Sequence, residues 1–229
     1  KDMCLLPRLP DLLNLGMDSL KVEGRNKTEY YAAVVARTYR QAIDDYYSDP
    51  RHWDFRRYMD DLYTLQNRGY CLGFHDGKLT NISQNYEYTR TLGDWLFAGS
   101  IVEWQGNQAI FEIRNYIDKG EFIEFLLPGT LDNLQITFDE FEDADSGEIT
   151  AKVSAGQGKK IRIDFNKCKI QYCRNEKEEP KTAPELNIEN IKELLPQYCI
   201  ARKPAPLTGE NRTMLDHKKA EFTQLCNRE

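Results

Sequence analysis

A chain of 229 residues with 40% apolar and 30% charged positions has the composition of a folded, water-facing protein rather than a disordered one. No apolar run approaches the roughly 20 residues a membrane-spanning helix needs. The net charge of −6 excludes a surface uniformly attractive to nucleic acid, which leaves local basic patches as the route to phosphate. The six cysteines, Cys4, Cys71, Cys168, Cys173, Cys199 and Cys226, form no CxxC pair and no signal peptide opens the sequence, so reduced thiols in a cytoplasmic protein are expected.

The sequence starts at Lys1, without an initiating Met, and runs at once into "CLLPRLPDLLNLG"; it reads as a piece of a longer polypeptide. Residues 7–15 predict a short helix closed by Gly16. "DSLKV" follows as a short strand, with Leu20 and Val22 alternating with Ser19 and Lys21. Helix, tight turn and apolar strand make half of an α/β repeat, and such a strand needs parallel neighbours. Nothing later alternates in the same way, so the neighbours are expected upstream. Asn26, with Glu29 three residues on, has the capping-box spacing for a long helix. Its buried face is drawn by Tyr31, Val35, Tyr39, Ala42 and Tyr46, flanked by Val34, Thr38 and Ile43, and Asp49-Pro50 stops it. A second helix spans about 53–66, with Phe55, Met59, Leu62 and Leu65 on one face, and ends before Gly69.

Residues 70–94 read as irregular. From Leu96 apolar and polar positions alternate between glycine turns: Phe111 and Ile113 face one way, Glu112 and Arg114 the other, and Ile161, Ile163 and Phe165 repeat the pattern. Six to seven short strands between Leu96 and Cys173 predict a small all-β barrel. "NEKEEPKTAPELN" reads as a linker, "IENIKELLPQYC" as one short helix, and the last thirty residues show no period. The organisation expected is thus an α/β segment over 1–94, a β-barrel over 95–174, and a linker and tail over 175–229.

Three blocks, "SLKVEGRNKTEYYAAVVARTYRQAID", "NRGYCLGF" and "QNYEYTRTLGDWLFAGSI", occur in this order and together resemble the collagenase-like peptidases of family U-32. Within that family the resemblance is nearest to the bacterial proteins that hydroxylate the wobble uridine of tRNA to 5-hydroxyuridine, and it covers about residues 1–170. It implies an α/β plus all-β chain: the last part of a TIM-like barrel (helix, strand, two helices), then a β-barrel like the second domain of elongation factors. It also implies tRNA as partner, prephenate as hydroxyl donor, and an iron–sulfur centre whose ligands lie mostly upstream, so that no cluster is expected on this chain alone. Two other readings stand beside it: a collagenase-like peptidase of unknown catalytic type, and an RNA-binding or structural module without activity of its own.

In a parallel α/β barrel, functional side chains gather where a strand gives way to its loop. Lys21 lies in the predicted strand, Glu23 and Gly24 end it, and Arg25 opens the loop. A guanidinium there suits a bidentate grip on a carboxylate or phosphate, as a dianionic donor or an RNA backbone would offer. A Glu23–Arg25 pair that locks the barrel fits equally. Tyr30 has the chemistry to stack on a base, and core packing is its alternative; Tyr31 reads as core. Asn85 and Tyr86, with Tyr88 and Arg90, make either a substrate or RNA loop or a connector. Lys159, Lys160 and Arg162, with Lys152, Lys167 and Lys169, form a basic cluster, either a contact for tRNA or a solvated face. The resemblance implies a metal-ligand role for Cys4, which otherwise reads as a small buried side chain. No HExxH or GxSxG motif is present, His52, His75 and His217 are isolated, and no catalytic residue is identified within the chain.

Overall fold

In the computed structural model, which describes residues 1–86, 91–156, 158–173 and 184–227, the first part of the chain is helical where its apolar period is helical. Strand β1 (Asp2–Met3) leads through a 3-10 turn into α1 (Leu9–Asn14), with Pro7 and Pro10 at the first helical positions, where a missing N–H is harmless. Gly16 ends α1 as expected: its φ is +73° and its N–H reaches the carbonyl of Leu13 at 3.0 Å. Helix α2 (Glu29–Ser48) buries Tyr30, Val34, Val35, Thr38 and Ala42, a stripe rotated slightly from the predicted one. Its first turn is capped by Thr28, whose Oγ1 accepts the N–H of Tyr31 at 3.3 Å, and not by the predicted box of Asn26 and Glu29. Helix α3 (Arg56–Thr64) buries Tyr58, Met59, Leu62 and Tyr63. The two helices are tied by a largely buried Arg37–Asp61 ion pair at 2.6 Å and by Trp53 Nε1 donating to the carbonyl of Ala42 at 2.8 Å. Strand β2 (Tyr70–Cys71) pairs with β1 in parallel.

The strand predicted at 19–22 does not form. Residues 17–28 are irregular and Val22 is 47% exposed. A strand is defined by its hydrogen-bond partners, and among the described residues β1 and β2 make the one parallel pair. Among the described residues the expected last part of a TIM-like barrel is therefore not confirmed; this part is helical with a minimal parallel sheet.

The predicted β region is present, with ten strands between Trp95 and Cys173 where six to seven were expected. Chain order gives β3 (Trp95–Gln105), β4 (Gln108–Ile113), β5 (Ile117–Asp118), β6 (Phe122–Leu126), β7 (Asn133–Thr137), β8 (Phe141–Asp143), β9 (Ile149–Thr150), β10 (Lys152–Val153), β11 (Lys160–Asp164) and β12 (Lys169–Cys173). Helix α4 (Ile188–Leu194) and β13 (Ile200–Pro204) follow. The large sheet has nine strands in the order β12-β7-β6-β13-β3-β4-β11-β8-β9, with antiparallel ladders. That order has two ends, so the described pairings draw a sheet and not the closed ring that was expected. The alternation holds: Phe111, Ile113, Ile161, Ile163 and Phe165 are buried, whereas Glu112 is half-buried and Arg114 exposed. At the centre Phe111 meets Phe125 edge-on at 5.7 Å.

The chain divides into two compact units, Lys1–Asn26 with Val34–Trp95 and Ala205–Glu229, and Lys27–Ala33 with Leu96–Pro204. The expected tail is the main departure. Residues 184–204 supply α4 and β13 to the β-rich unit, and α5 (Gly209–Cys226) belongs to the helical one. Thr208 caps α5, and Asn187 caps α4 by accepting the N–H of Asn190 at 2.9 Å. Of the charged stretch read as a linker, 175–187, residues 175–183 lie outside the described residues. Among the described residues no helix is long and apolar enough to cross a membrane.

Candidate functional site

Four of the predicted site residues share the loop between α1 and α2. Lys21, Glu23 and Arg25 are exposed and Gly24 is half-buried. Glu23 Oε1 accepts the backbone N–H of Arg25 at 3.2 Å. The carboxylate thus folds back on its own loop and leaves the guanidinium of Arg25 and the ammonium of Lys21 on the surface. Two exposed cations on an irregular segment attract an anion but build no enclosed pocket by themselves.

Tyr30 is placed differently from the reading as a base-stacking residue. It is 5% exposed, and its ring lies parallel to that of Phe97, with centroids 6.1 Å apart. A ring already stacked and buried offers no face to a nucleobase. Tyr31 is half-buried, with Lys27 Nζ 5.3 Å from its ring centre.

Asn85 is likewise engaged: its Nδ2 donates to the carbonyl of Arg68 at 3.0 Å. Arg68 in turn pairs with Asp2 at 2.6 Å, so the amide helps hold the turn that follows α3. Tyr86 is 80% exposed and presents its ring to solvent. Tyr88 and Arg90 lie outside the described residues.

Two of the three predicted basic contacts stand beside acids. Arg162 Nε pairs with Glu142 at 3.1 Å, its Nη1 donates to Gln105 Oε1 at 2.8 Å and its Nη2 to the carbonyl of Ala144 at 3.2 Å. Lys159 Nζ stands 4.0 Å from Asp143, and Lys160 is half-buried. A cleft of about 290 Å³ beside Arg162 is lined by Asp139, Glu140, Glu142 and Asp164 as well. Residues 96–204 hold 14 Lys or Arg and 19 Asp or Glu, so this segment carries most of the chain's negative charge. The acids beside Lys159 and Arg162 reduce the local potential on which the predicted RNA contact at Lys159, Lys160 and Arg162 depends. The sequence reading missed this because the acids come from other strands.

Cys4 is 4% exposed, and burial pushes its thiol up to about 11. Its Sγ lies 3.9 Å from Tyr39 Oη. Cys226, at the end of α5, is pushed up to about 12 by burial, with Cys4 near enough to add to the effect. An iron–sulfur centre takes four thiolates as a rule. Among the described residues no group of three or more His, Cys, Asp or Glu side chains is arranged to hold a metal. The described residues alone therefore do not build such a centre.

Two further groups of buried polar residues escaped the sequence reading. Lys218 on α5 is 4% exposed and donates to the carbonyl of Asn67 at 3.1 Å, below the turn that Asn85 braces. On β13, Arg202 and Lys203 are buried against Glu124 and Glu121.

Comparison with known proteins follows the division of the chain. Residues 1–85 match the family model described as Peptidase family U32, and residues 94–176 match the one described as Peptidase family U32 C-terminal domain. The chain is 28% identical over 167 residues to tRNA hydroxylation protein P1 of Bacillus subtilis, covering 72% of this chain and 39% of that one. It is 33% identical over 146 residues to tRNA hydroxylation protein P of Escherichia coli, covering 63% and 31%. For the Haemophilus influenzae protein of the same name the figures are 35% over 131 residues, 56% and 28%. The chain thus spans roughly a third of the length of these relatives. Among solved structures, the C-terminal domain of a Geobacillus thermoleovorans protein described as a U32 peptidase aligns with a TM-score of 0.30 at 17% identity, over 47% of this chain and 90% of that one.

Proposed function

Since the chain belongs to peptidase family U32, we propose that it is the C-terminal portion of a tRNA-modifying protein that takes part in tRNA hydroxylation. The observation that carries this reading is the run of relatives named for tRNA hydroxylation. The finer reading is hydroxylation of the wobble uridine with prephenate as donor. Exposed Lys21 and Arg25 favour an anion of either kind, the two carboxylates of prephenate or an RNA phosphate, and exposed Tyr86 favours a stacked base. The acidic β-rich unit argues that tRNA meets the helical unit instead. An iron–sulfur centre, in this reading, draws most of its ligands from outside the chain, since no described group of three or more candidate side chains is arranged to hold a metal.

A peptidase reading has less behind it. Burial pushes Cys4 up to about 11 and both Cys168 and Cys226 up to about 12, so none of these thiols ionises readily near neutrality. His52 and His75 are held by Asp49 and Asp76 at 2.6 and 2.8 Å, and neither bond involves a nucleophile.

The test is mass spectrometry of tRNA from cells lacking the gene. Loss of 5-hydroxyuridine at the wobble position, restored by the wild-type gene, is the expected outcome. Unchanged tRNA in a strain with no second copy overturns the proposal.

A further inference from the structure

Strand β13 occupies a singular place in the ladder. Without it the order separates into β12-β7-β6 and β3-β4-β11-β8-β9, with β6 and β3 as facing edges. Both edges fall within residues 94–176, which match the family's C-terminal domain, whereas the strand that fills the gap falls outside that match. The gap is thus a strand-shaped site with a hydrogen-bonding edge on each side. On one side Ala201 and Arg202 are in register with Phe125 and Glu124. On the other, Tyr198 N–H reaches the carbonyl of Ile101 at 2.7 Å and Ile101 N–H reaches that of Cys199 at 3.0 Å.

The site also reads side chains. Successive residues of a strand point to opposite faces, and here each face carries an acid for one cation. Arg202 Nε pairs with Glu124 Oε2 at 2.9 Å, the two side chains 6% and 9% exposed. Lys203, 2% exposed, pairs with Glu121 at 2.5 Å, donates to the carbonyl of Tyr116 at 3.0 Å and lies 4.0 Å from the Tyr116 ring centre. Burying two adjacent cations is a poor way to stabilise a sheet, since apolar residues do as well or better. It is a good way to select a sequence and its register. A slip by one residue sets one cation against the other's acid and leaves the remaining cation without a partner. Pro204, which lacks an N–H, closes the ladder.

We propose that the gap between β3 and β6 is a peptide-binding site in its own right, selective for an extended segment with two consecutive basic residues, and that residues 198–204 are its tethered, exchangeable ligand. This inference is independent of the tRNA reading.

The experiment uses the full chain with R202E/K203E, which turns the tethered strand against its acids. A fluorescent peptide of residues 196–206 is the probe, read by anisotropy. The variant is expected to bind it at least tenfold more tightly than the wild-type chain, whose site is filled. A peptide with Glu at both basic positions is expected not to bind, and E121K/E124K added to the variant is expected to reverse that preference. A folded variant that ignores the wild-type peptide, or takes both peptides equally, overturns the proposal. If R202E/K203E does not fold, the wild-type chain cut at a protease site placed within residues 176–182 decides. Millimolar peptide, enough to rival a tethered strand, then raises deuterium uptake at Ala201 to Lys203, and unchanged uptake overturns the proposal.

Discussion

Replacing Tyr30 by Ala separates the two roles its sequence context allowed. The ring is 5% exposed and stacked on Phe97, so nearly the whole side chain leaves water on folding. A buried tyrosine removes ~150–250 Å², which at ~25 cal/mol per Å² is at most ~4–6 kcal/mol. Alanine keeps the β-carbon, and measured truncations of large core aromatics cost ~3–5 kcal/mol. Alanine's better helix propensity returns only ~0.5 kcal/mol. The net expectation is a loss of ~3–4 kcal/mol, or a melting temperature lower by ~8–12 °C in a chain of this size. Urea unfolding followed by tryptophan fluorescence measures the loss. Filter binding to tRNA, at a temperature where both proteins are folded, measures the other role, and affinity within about twofold of wild type is expected. A stability change under ~1 kcal/mol together with a tenfold or greater loss of tRNA affinity refutes the packing argument, since large core truncations do not fall that low.

Gly99 has φ +155°, and a β-carbon there would stand 2.1 Å from the carbonyl oxygen of Glu112 and 2.7 Å from the Phe111 ring. Gly99→Ala is expected to cost ~3 kcal/mol or more, against ~1 kcal/mol for Gly106→Ala, whose φ is +61° in open space; urea midpoints decide. Lys21→Glu with Arg25→Glu is expected to weaken tRNA binding about tenfold or more and flatten its salt dependence, while Arg162→Gln leaves both within error. Native protein at pH 8 is expected to leave Cys4 and Cys226 unalkylated by iodoacetamide over an hour and to label both in urea, as read by peptide mass spectrometry, because burial holds their thiols near 11 and 12. Burial lowers the Lys218 ammonium from its ordinary 10.5, so the unfolded chain binds more protons between the lowered value and 10.5. The stability contribution of Lys218 therefore rises with pH across that window, and Lys218→Met is expected to remove this part of the alkaline slope in urea titrations.

What was legible in the sequence was whatever a segment decides for itself. Alternation at Phe111 and Ile113, or Ile161 and Ile163, fixes which side of a strand is buried before any partner is known. Helix α2 was legible for the same reason, although its buried stripe is rotated slightly and its cap is Thr28 in place of Asn26. The strand at Leu20 and Val22 was not, because two apolar residues make a strand only beside another one, and no described strand stands there. Helix α5 shows the opposite failure. Its buried positions, Leu215, Lys218, Phe222 and Cys226, keep helical spacing, but a lysine in the stripe hides the period.

The charged residues show why the site was harder to read than the fold. An Arg or Lys counts as surface, or as a contact for phosphate, until its partner is known. For Arg162 the partner is Glu142, 20 positions away, and for Arg202 it is Glu124, 78 positions away. A local scan assigned the first to RNA and passed over the second, although the second pair is the more deeply buried. The physical difference lies in desolvation: a half-exposed pair on β11 is screened and contributes little, whereas a cation sealed between β6 and β3 persists only with its acid in place. Cations that remain exposed after pairing is assigned, Lys21 and Arg25 among them, are the ones with charge left for a ligand. That criterion moves the expected anion contact from the β-rich unit to the loop before α2, and reversing the charges at these two positions, with Arg162→Gln in parallel, tests it directly.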